Sequence, residues 1–351
     1  MGSRDRKETA HLCYSYFRTG KLFTGLPLQE AILASVFLCS QQSNGILIAL
    51  QPEWAECISL SPEDKLAMIR AGANIIQLFP WVEELSREID PLKLASSLTG
   101  QPDMFLRLRP GKEAVVTKKL QTARIAFNQI TEHALALPNG SRVDELIPLN
   151  KEAVVQDLSS QEVASLIKEL KANKIKNVWD CCAASGGKSI LLWDTLGPVK
   201  LAVSDNRASI LANLRKRFTE AAISYQHAFT ADLTNAAALP GEEFDLVMAD
   251  VPCTGSGTWG RTPEQLYYFD AAQIEQYASL QKKITANVVT RVKKGGWLLY
   301  ITCSVFKKEN EDVVAFLQKQ QGLELIKMEC IKGYERKADT MFASLLRKPI
   351  A

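Results

Sequence analysis

The sequence predicts an α/β fold whose larger part is a Rossmann-like, doubly wound sheet with an antiparallel hairpin at one edge. Three observations carry that expectation. From about residue 156 onward, short apolar runs alternate with helical stretches in the rhythm that builds a parallel sheet. The first of these runs, 176–181, leads into a glycine turn, Cys182-Ala183-Ala184-Ser185-Gly186-Gly187-Lys188. Two later runs end on cysteines: 244–249 precedes Asp250-Val251-Pro252-Cys253, and 296–301 precedes Thr302-Cys303-Ser304. The carboxyl ends of the strands in such a sheet border one ligand crevice, so the glycine turn and both thiols should meet there.

Taken in order, residues 1–98 read as a helical domain. Apolar positions recur three and four apart through Leu12, Tyr16 and Phe17, and again through Leu66, Ile69, Ala73 and Ile76. Pro27, Pro52, Pro62, Pro80 and Pro91 punctuate the helices, and Ser61-Pro62-Glu63 is a helix start. Residues 99–155 form a small α/β unit. There 104–109 alternates like a strand, Pro110-Gly111 turns the chain, and a helix is expected from about 115 to 128. This unit carries Arg107, Arg109, Lys112, Lys118, Lys119 and Arg124 against Glu113 alone. Two readings stay open for these cations: a solvated face, or a surface that contacts phosphates. Residues 156–351 hold the doubly wound sheet, with strands expected at 176–181, 200–204, 225–230, 244–249, 296–301, 323–327 and 341–346. A short connection with no clear helix separates the last two, which is the edge hairpin.

The bulk properties set outer bounds. The chain has 351 residues, 46% hydrophobic and 23% charged, which is the composition of a globular protein with several cores. A net charge of +3 permits a polyanionic partner without demanding one. The most apolar stretch, 28–39, falls short of the ~20 residues of a membrane span and contains Gln29 and Glu30. No apolar signal core follows Met1, so a cytoplasmic protein with no membrane partner is expected. Eight cysteines without a C-x-x-C pair, beside three histidines, argue against a disulfide framework and a metal site. Cys13, Cys39, Cys57, Cys181 and Cys330 are read as small buried hydrophobes.

The glycine turn lacks both G-x-G-x-x-G and the P-loop pattern. What it offers is Gly186-Gly187, where a ligand can approach the backbone closely, followed by Lys188 and a helix start. Asp205 ends the second strand, about 20 residues on, where a carboxylate can hold ribose hydroxyls. Asp232 follows the third strand and Asp250 ends the fourth. Three acids in succession suit a ligand with a ribose, an amino-bearing ring and an ammonium group. S-adenosylmethionine has all three, whereas a nucleoside triphosphate would be repelled. The cofactor-binding set is therefore Cys182, Ala183, Ala184, Ser185, Gly186, Gly187, Lys188, Asp205, Asp232 and Asp250.

These motifs, in this order, resemble the Sun/RsmB family of RNA cytosine-5 methyltransferases over residues 99–351. The resemblance rests on 155–161, on 180–188, on 250–257 with Arg261-Thr262-Pro263-Glu264, and on 300–304 with Glu309-Asn310-Glu311. It implies a Rossmann-like methyltransferase domain behind a small RNA-binding α/β domain. Gly2-Ser3-Arg4-Asp5-Arg6 resembles a motif of the NusB-like helical domain that bacterial members often carry, a partial resemblance, while residues 19–98 rest on helical texture alone. Departures are Ser185 in place of the usual Pro, Gly260-Arg261 in place of an arginine pair, and Ile210 where an Arg is common, with Arg207 nearby as its substitute.

The resemblance also implies a chemistry. Carbon 5 of cytosine is a poor nucleophile, so a thiolate first adds to carbon 6, and the methyl is then transferred. Family resemblance assigns Cys303 to this attack, and a helix beginning near Ser304 is expected to lower its pKa. It assigns to Cys253 the loss of the carbon-5 proton, as base or as the group organising one. Asp250 would bond the exocyclic amine or ring nitrogen 3, and Lys188 would point at the same ring or at the cofactor. Single-stranded or looped RNA is the expected partner, with ribosomal RNA the default and transfer RNA open. Trp259, Tyr267 and Tyr268 are candidates for base stacking or for core packing. Competing readings are a DNA cytosine-5 methyltransferase, which leaves the second thiol unexplained, and a non-catalytic RNA-binding ribosome-assembly factor that retains the cofactor. A third is methylation of a small molecule or protein.

Overall fold

The computed structural model describes residues 2–350, so Met1 and Ala351, the outer ends of the first and third expected domains, lie outside it. Among the described residues there are two sheets. The smaller contains β1 (Met104–Leu108), β2 (Asn128–Thr131), β3 (Ala134–Leu137) and β4 (Ala153–Val155), in the antiparallel order β2-β3-β1-β4. The larger contains β5 (Asn177–Asp180), β6 (Lys200–Asp205), β7 (His227–Thr230), β8 (Phe244–Asp250), β9 (Val292–Thr302), β10 (Glu324–Ile331) and β11 (Met341–Arg347). Its order is β10-β11-β9-β8-β5-β6-β7, with β9 to β7 parallel and β11 antiparallel to both neighbours. This is the Rossmann-like methyltransferase sheet with its antiparallel β10–β11 hairpin.

Burial on both faces explains why these strands are near-continuous apolar runs. Leu246 and Met248 of β8 pack to one side with Leu299 and Ile301 of β9. Val247 and Ala249 pack to the other with Leu298 and Tyr300. Side chains of a strand alternate between faces, so each strand feeds both cores at once.

The helical N-terminal residues shape the site more directly than their texture indicates. Helices Pro52–Glu56, Pro62–Ile69 and Pro91–Leu98 all begin on proline, and Ser61 Oγ accepts from the Asp64 backbone N–H at 3.1 Å. Leu66 and Leu94 of these helices share one core with Leu78, Phe79 and Leu85 and with residues near the cysteine loops, Trp259, Phe269, Val305 and Phe306. The chain at 84–86 also pairs with the segment after Cys303, through Ser86 N–H to Val305 O at 2.9 Å and Lys307 N–H to Glu84 O at 2.8 Å.

Two expectations need correction here. The helix placed at 115–128 is Glu113–Thr122; it ends before Arg124, which adopts a left-handed φ of 54°. Beyond it lies an unforeseen hairpin, β2–β3. All four residues of β2 are exposed and all four of β3 are buried, so neither alternates. Of the five cysteines read as buried, Cys181 is buried, Cys39, Cys57 and Cys330 are half-buried, and Cys13 is exposed at the first helix.

Candidate active site

Strands β8 and β9 are parallel neighbours with Asp250 opposite Ile301, so the loops that follow them emerge side by side. Each loop presents its cysteine, and Cys253 Sγ lies 3.2 Å from Cys303 Sγ. The Cys303 neighbour, together with burial, pushes the Cys253 thiol well above its ordinary value. Cys253 is thus held as a protonated thiol that can hydrogen-bond its partner's sulfur.

Glu309 locks the two loops together. Its fully buried carboxylate accepts from Thr254 N–H at 2.9 Å, Thr254 Oγ1 at 2.5 Å, Ser304 Oγ at 2.6 Å and Gln281 Nε2 at 2.9 Å. Burial raises the Glu309 pKa, and the hydrogen bonds from Ser304 and Thr254 offset only part of that rise. A second tie runs through Gly257, whose N–H donates to Cys303 O at 2.8 Å and whose carbonyl accepts from Thr340 N–H at 2.8 Å. A Cβ at Gly257 would stand 2.0 Å from Thr340 O, so no larger residue fits there.

Lys188 reaches the same place from the glycine turn. Its Nζ is 2.7 Å from Asp250 Oδ2, with both side chains largely buried. Burial pulls the Lys188 pKa down, but Asp250, and next Cys303 and Asp180, carry it above its usual value. The ammonium therefore stays charged and feels the Cys303 sulfur. Asp180, one strand over, is fully buried with a pKa pushed up to about 7, and its Oδ2 accepts from Ser189 Oγ.

The glycine turn beside this cluster carries the residues read from the sequence as the donor site. Ala184 has a left-handed φ of 46°, and its N–H donates to Asp205 Oδ2 at 3.0 Å; Ala183 N–H donates to Ser204 O at 2.9 Å. Gly186 (φ 83°) precedes helix Gly187–Leu196, whose first N–H groups have no partner within the helix. A Cβ at Gly186 would meet Phe218 Cε1 at 2.7 Å. Asp205 is buried, and Arg207 pairs with it at 3.0 Å. Asp232 lies exposed past β7, its Oδ1 accepting from Thr234 N–H at 2.9 Å and Thr234 Oγ1 at 2.8 Å. Cys182 is half-buried at the start of the turn.

Several sequence expectations resolve differently. No helix begins at Ser304; the next one is Glu311–Gln321, because 304–307 are held by Glu309 and by the pairing with 84–86. The charge near Cys303 comes from Lys188 instead. Trp259 is a core residue against Phe79, Trp81 and Phe269. Tyr267 packs on Tyr16 and Phe17, while Tyr268 is exposed. Arg261 is occupied by Asp157 and Asp339. Arg107 and Arg109 turn inward onto Asp194 at 2.5 and 2.7 Å, and Lys119 pairs with Glu152 at 2.7 Å. Lys118 and Arg124 remain exposed. Sequence reading gave no role to Glu309, Gln281 or Asp180, although Glu309 and Asp180 stand inside the motifs it marked. Gln281, a buried polar residue on a helix, leaves no signal in the pattern.

Among the described residues, no helix is long and apolar enough to cross a membrane, and no group of three His, Cys, Asp or Glu is placed to hold a metal.

A family model described as 16S rRNA methyltransferase RsmB/F matches residues 167–346, just over half of the chain. The ribosomal RNA small subunit methyltransferase B of Xanthomonas campestris pv. campestris is 32% identical over 229 residues, 62% of this chain and 51% of that protein. The chain spans about half the length of the first curated relatives it matches. Among solved structures, PH0851 gives a TM-score of 0.72 at 18% identity, covering 99% of this chain and 91% of that one. NSun6 from Pyrococcus horikoshii, solved with SFG, gives 0.63 at 14% identity over 74% and 94%. At these identities the structural likenesses carry the fold.

Proposed function

The chain belongs to the RsmB/F methyltransferase family, and from that premise we propose that it methylates carbon 5 of a cytosine in ribosomal RNA through a covalent cysteine–cytosine adduct. The observation that carries this reading is the pair of thiols 3.2 Å apart beside the Lys188–Asp250 ion pair. S-adenosylmethionine, the family's methyl donor, supplies an electrophilic methyl group when bound. The residues that would hold it are Cys182 to Lys188 with Asp205, Asp232 and Asp250.

In the proposed sequence, Cys303 gives up its proton to solvent and attacks as a thiolate beside the Lys188 ammonium and the Cys253 S–H. The thiolate's electron pair forms the bond to carbon 6, and the carbon 5–6 π electrons shift to carbon 5. Lys188 offsets the negative charge that develops on the ring, while Asp250 holds Lys188 and bonds the exocyclic amine or ring nitrogen 3. After methyl transfer, carbon 5 carries a proton that must leave before the carbon–sulfur bond can break. Cys303, now bonded to carbon 6, no longer raises the Cys253 thiol, whereas burial and the Glu309 carboxylate still do. Cys253 organises the loss of that proton, or accepts it after passing its own proton to solvent; the carbon–hydrogen electron pair re-forms the carbon 5–6 π bond, and Cys303 leaves with the carbon–sulfur pair.

The likeness to ribosomal RNA small subunit methyltransferases supports an RNA substrate, which must present an unstacked base. The domain division at about 98 and 155 is part of the same proposal. The test is to incubate the protein with methyl-labelled S-adenosylmethionine and unmodified small-subunit ribosomal RNA, then digest to nucleosides. Label in 5-methylcytidine is expected. Label in any other nucleoside would contradict the assignment, and binding of donor and RNA without label would favour the assembly-factor reading.

A further inference from the structure

Helix Ala208–Glu220 faces the glycine turn with Leu214, Arg217 and Phe218, which share one side of the helix at three- and four-residue spacing. Leu214 and Phe218 fill the space where a side chain at Gly186 would stand. Arg217 reaches along the turn instead. Its Nη1 donates to Ser185 Oγ at 2.8 Å and to Ser185 O at 3.1 Å. Its Nε donates to Asn150 Oδ1 at 2.9 Å, in the turn that leads into β4 of the small sheet.

Asn150 is a buried hub with a left-handed φ of 65°, a conformation that asparagine tolerates better than most residues. Its Nδ2 donates to Glu220 Oε2 at 2.8 Å, and its carbonyl accepts from Arg109 Nη1 at 2.7 Å. Arg109 in turn holds Asp194, on the helix that starts at Gly187. The small sheet therefore grips the glycine turn at both ends: at Ser185 through Asn150 and Arg217, and along the following helix through Arg109 and Asp194. At the position where the resembled family usually has proline, this chain has a serine whose hydroxyl is held by an arginine.

We propose that Arg217 is a positioning residue for the methyl donor. It sets Ser185-Gly186-Gly187 against the small sheet through Asn150, so that donor affinity depends on the Arg217–Asn150 contact. This rests on the reading of the turn as the donor site. The planar guanidinium suits the task because it holds two partners in fixed directions, which a lysine ammonium does not. Loosening the turn weakens donor binding, while the thiols sit on the loops after β8 and β9 and Lys188 is held separately by Asp250.

The test uses the full chain and S-adenosylhomocysteine as the binding probe, with thermal unfolding as the folding control. Arg217→Lys and Asn150→Ala are each expected to weaken binding by about tenfold, the scale of losing a hydrogen bond to a charged group. The double variant is expected to be no weaker than the worse single, because both changes break one linkage. In methyl transfer, KM for the donor should rise while kcat at saturating donor holds. Should the arginine variant fail to fold, Ser185→Ala carries the test: it removes the Oγ contact alone and is expected to weaken binding about threefold. The proposal is overturned if folded Arg217→Lys binds within twofold of wild type, if the two losses multiply, if kcat falls at constant KM, or if Ser185→Ala is unchanged. Wild-type protein that binds no S-adenosylhomocysteine would instead overturn the reading of the turn itself, and the proposal with it.

Discussion

The cysteine loops and the small sheet each depend on one buried carboxylate, and they satisfy it in opposite ways. Glu309 receives only neutral donors, from Thr254, Ser304 and Gln281. Asp194 receives two guanidinium groups, from Arg107 and Arg109. A neutral cage fixes two loops in space while leaving the local field to Lys188, the cation nearest the chemistry. A charged clamp ties a sheet to a helix firmly but consumes the cations that form it. Charge in the small sheet therefore serves cohesion first, and what remains for a polyanion is its exposed remainder, Lys118 and Arg124 among them.

Five substitutions sharpen or break that contrast. The largest effect is expected from Asp194→Ala, which strands two buried guanidinium groups; it should cost about 3–5 kcal/mol in denaturant unfolding. A cost below 1 kcal/mol would show that the clamp is not needed for cohesion. Next comes a pH effect at Asp180. Its folded pKa of about 7 lies above the unfolded value near 3.8, so the stability it contributes is full below the unfolded value and is lost as pH rises toward 7. Asp180→Asn should remove that loss. Its stability relative to wild type should grow by roughly 2–3 kcal/mol between pH 5 and 8, measured by urea titration at each pH. A constant difference across that range would contradict the buried neutral acid.

A smaller effect is expected for Glu309→Gln, which replaces an acceptor-only group by one whose amide faces some of the same donors. It should cost about 1–2 kcal/mol in stability and lower methyl transfer in step, because Thr254 and Ser304 flank the thiols. Unchanged transfer would separate the cage from the chemistry. Smallest are Lys118→Ala and Arg124→Ala, each within about 0.5 kcal/mol in stability. If these exposed cations contact phosphates, each should lower the slope of log affinity for RNA against log salt by about 1. Unchanged slopes would place the RNA path elsewhere.

The same contrast explains what the sequence revealed. Strands β5, β6, β8 and β9 were legible because burial on both faces leaves apolar runs between turn signals. Cys253, Cys303, Lys188 and Asp250 were legible because each follows such a strand at the sheet's carboxyl edge. Arg107 and Arg109 were not, since their partner Asp194 stands 87 and 85 residues away. The run after Cys303 reads as a helix start locally, but pairing with residues 84–86 overrides it. Strand β2, exposed throughout, and β3, buried throughout, lack the alternation that marks a strand. Trp259 lies one residue from an active-site loop in sequence and inside an aromatic core in space.

The central claim is that Cys303 bonds to the base and Cys253 frees it. The most direct test mixes the Cys253→Ala protein with S-adenosylmethionine and unmodified small-subunit ribosomal RNA and looks for a protein–RNA complex that survives denaturation. The account expects such a complex, trapped because the carbon-5 proton is not removed, and expects it to vanish when Cys303→Ala is added. A complex that persists without Cys303, or none at all from a preparation that binds both donor and RNA, would contradict it.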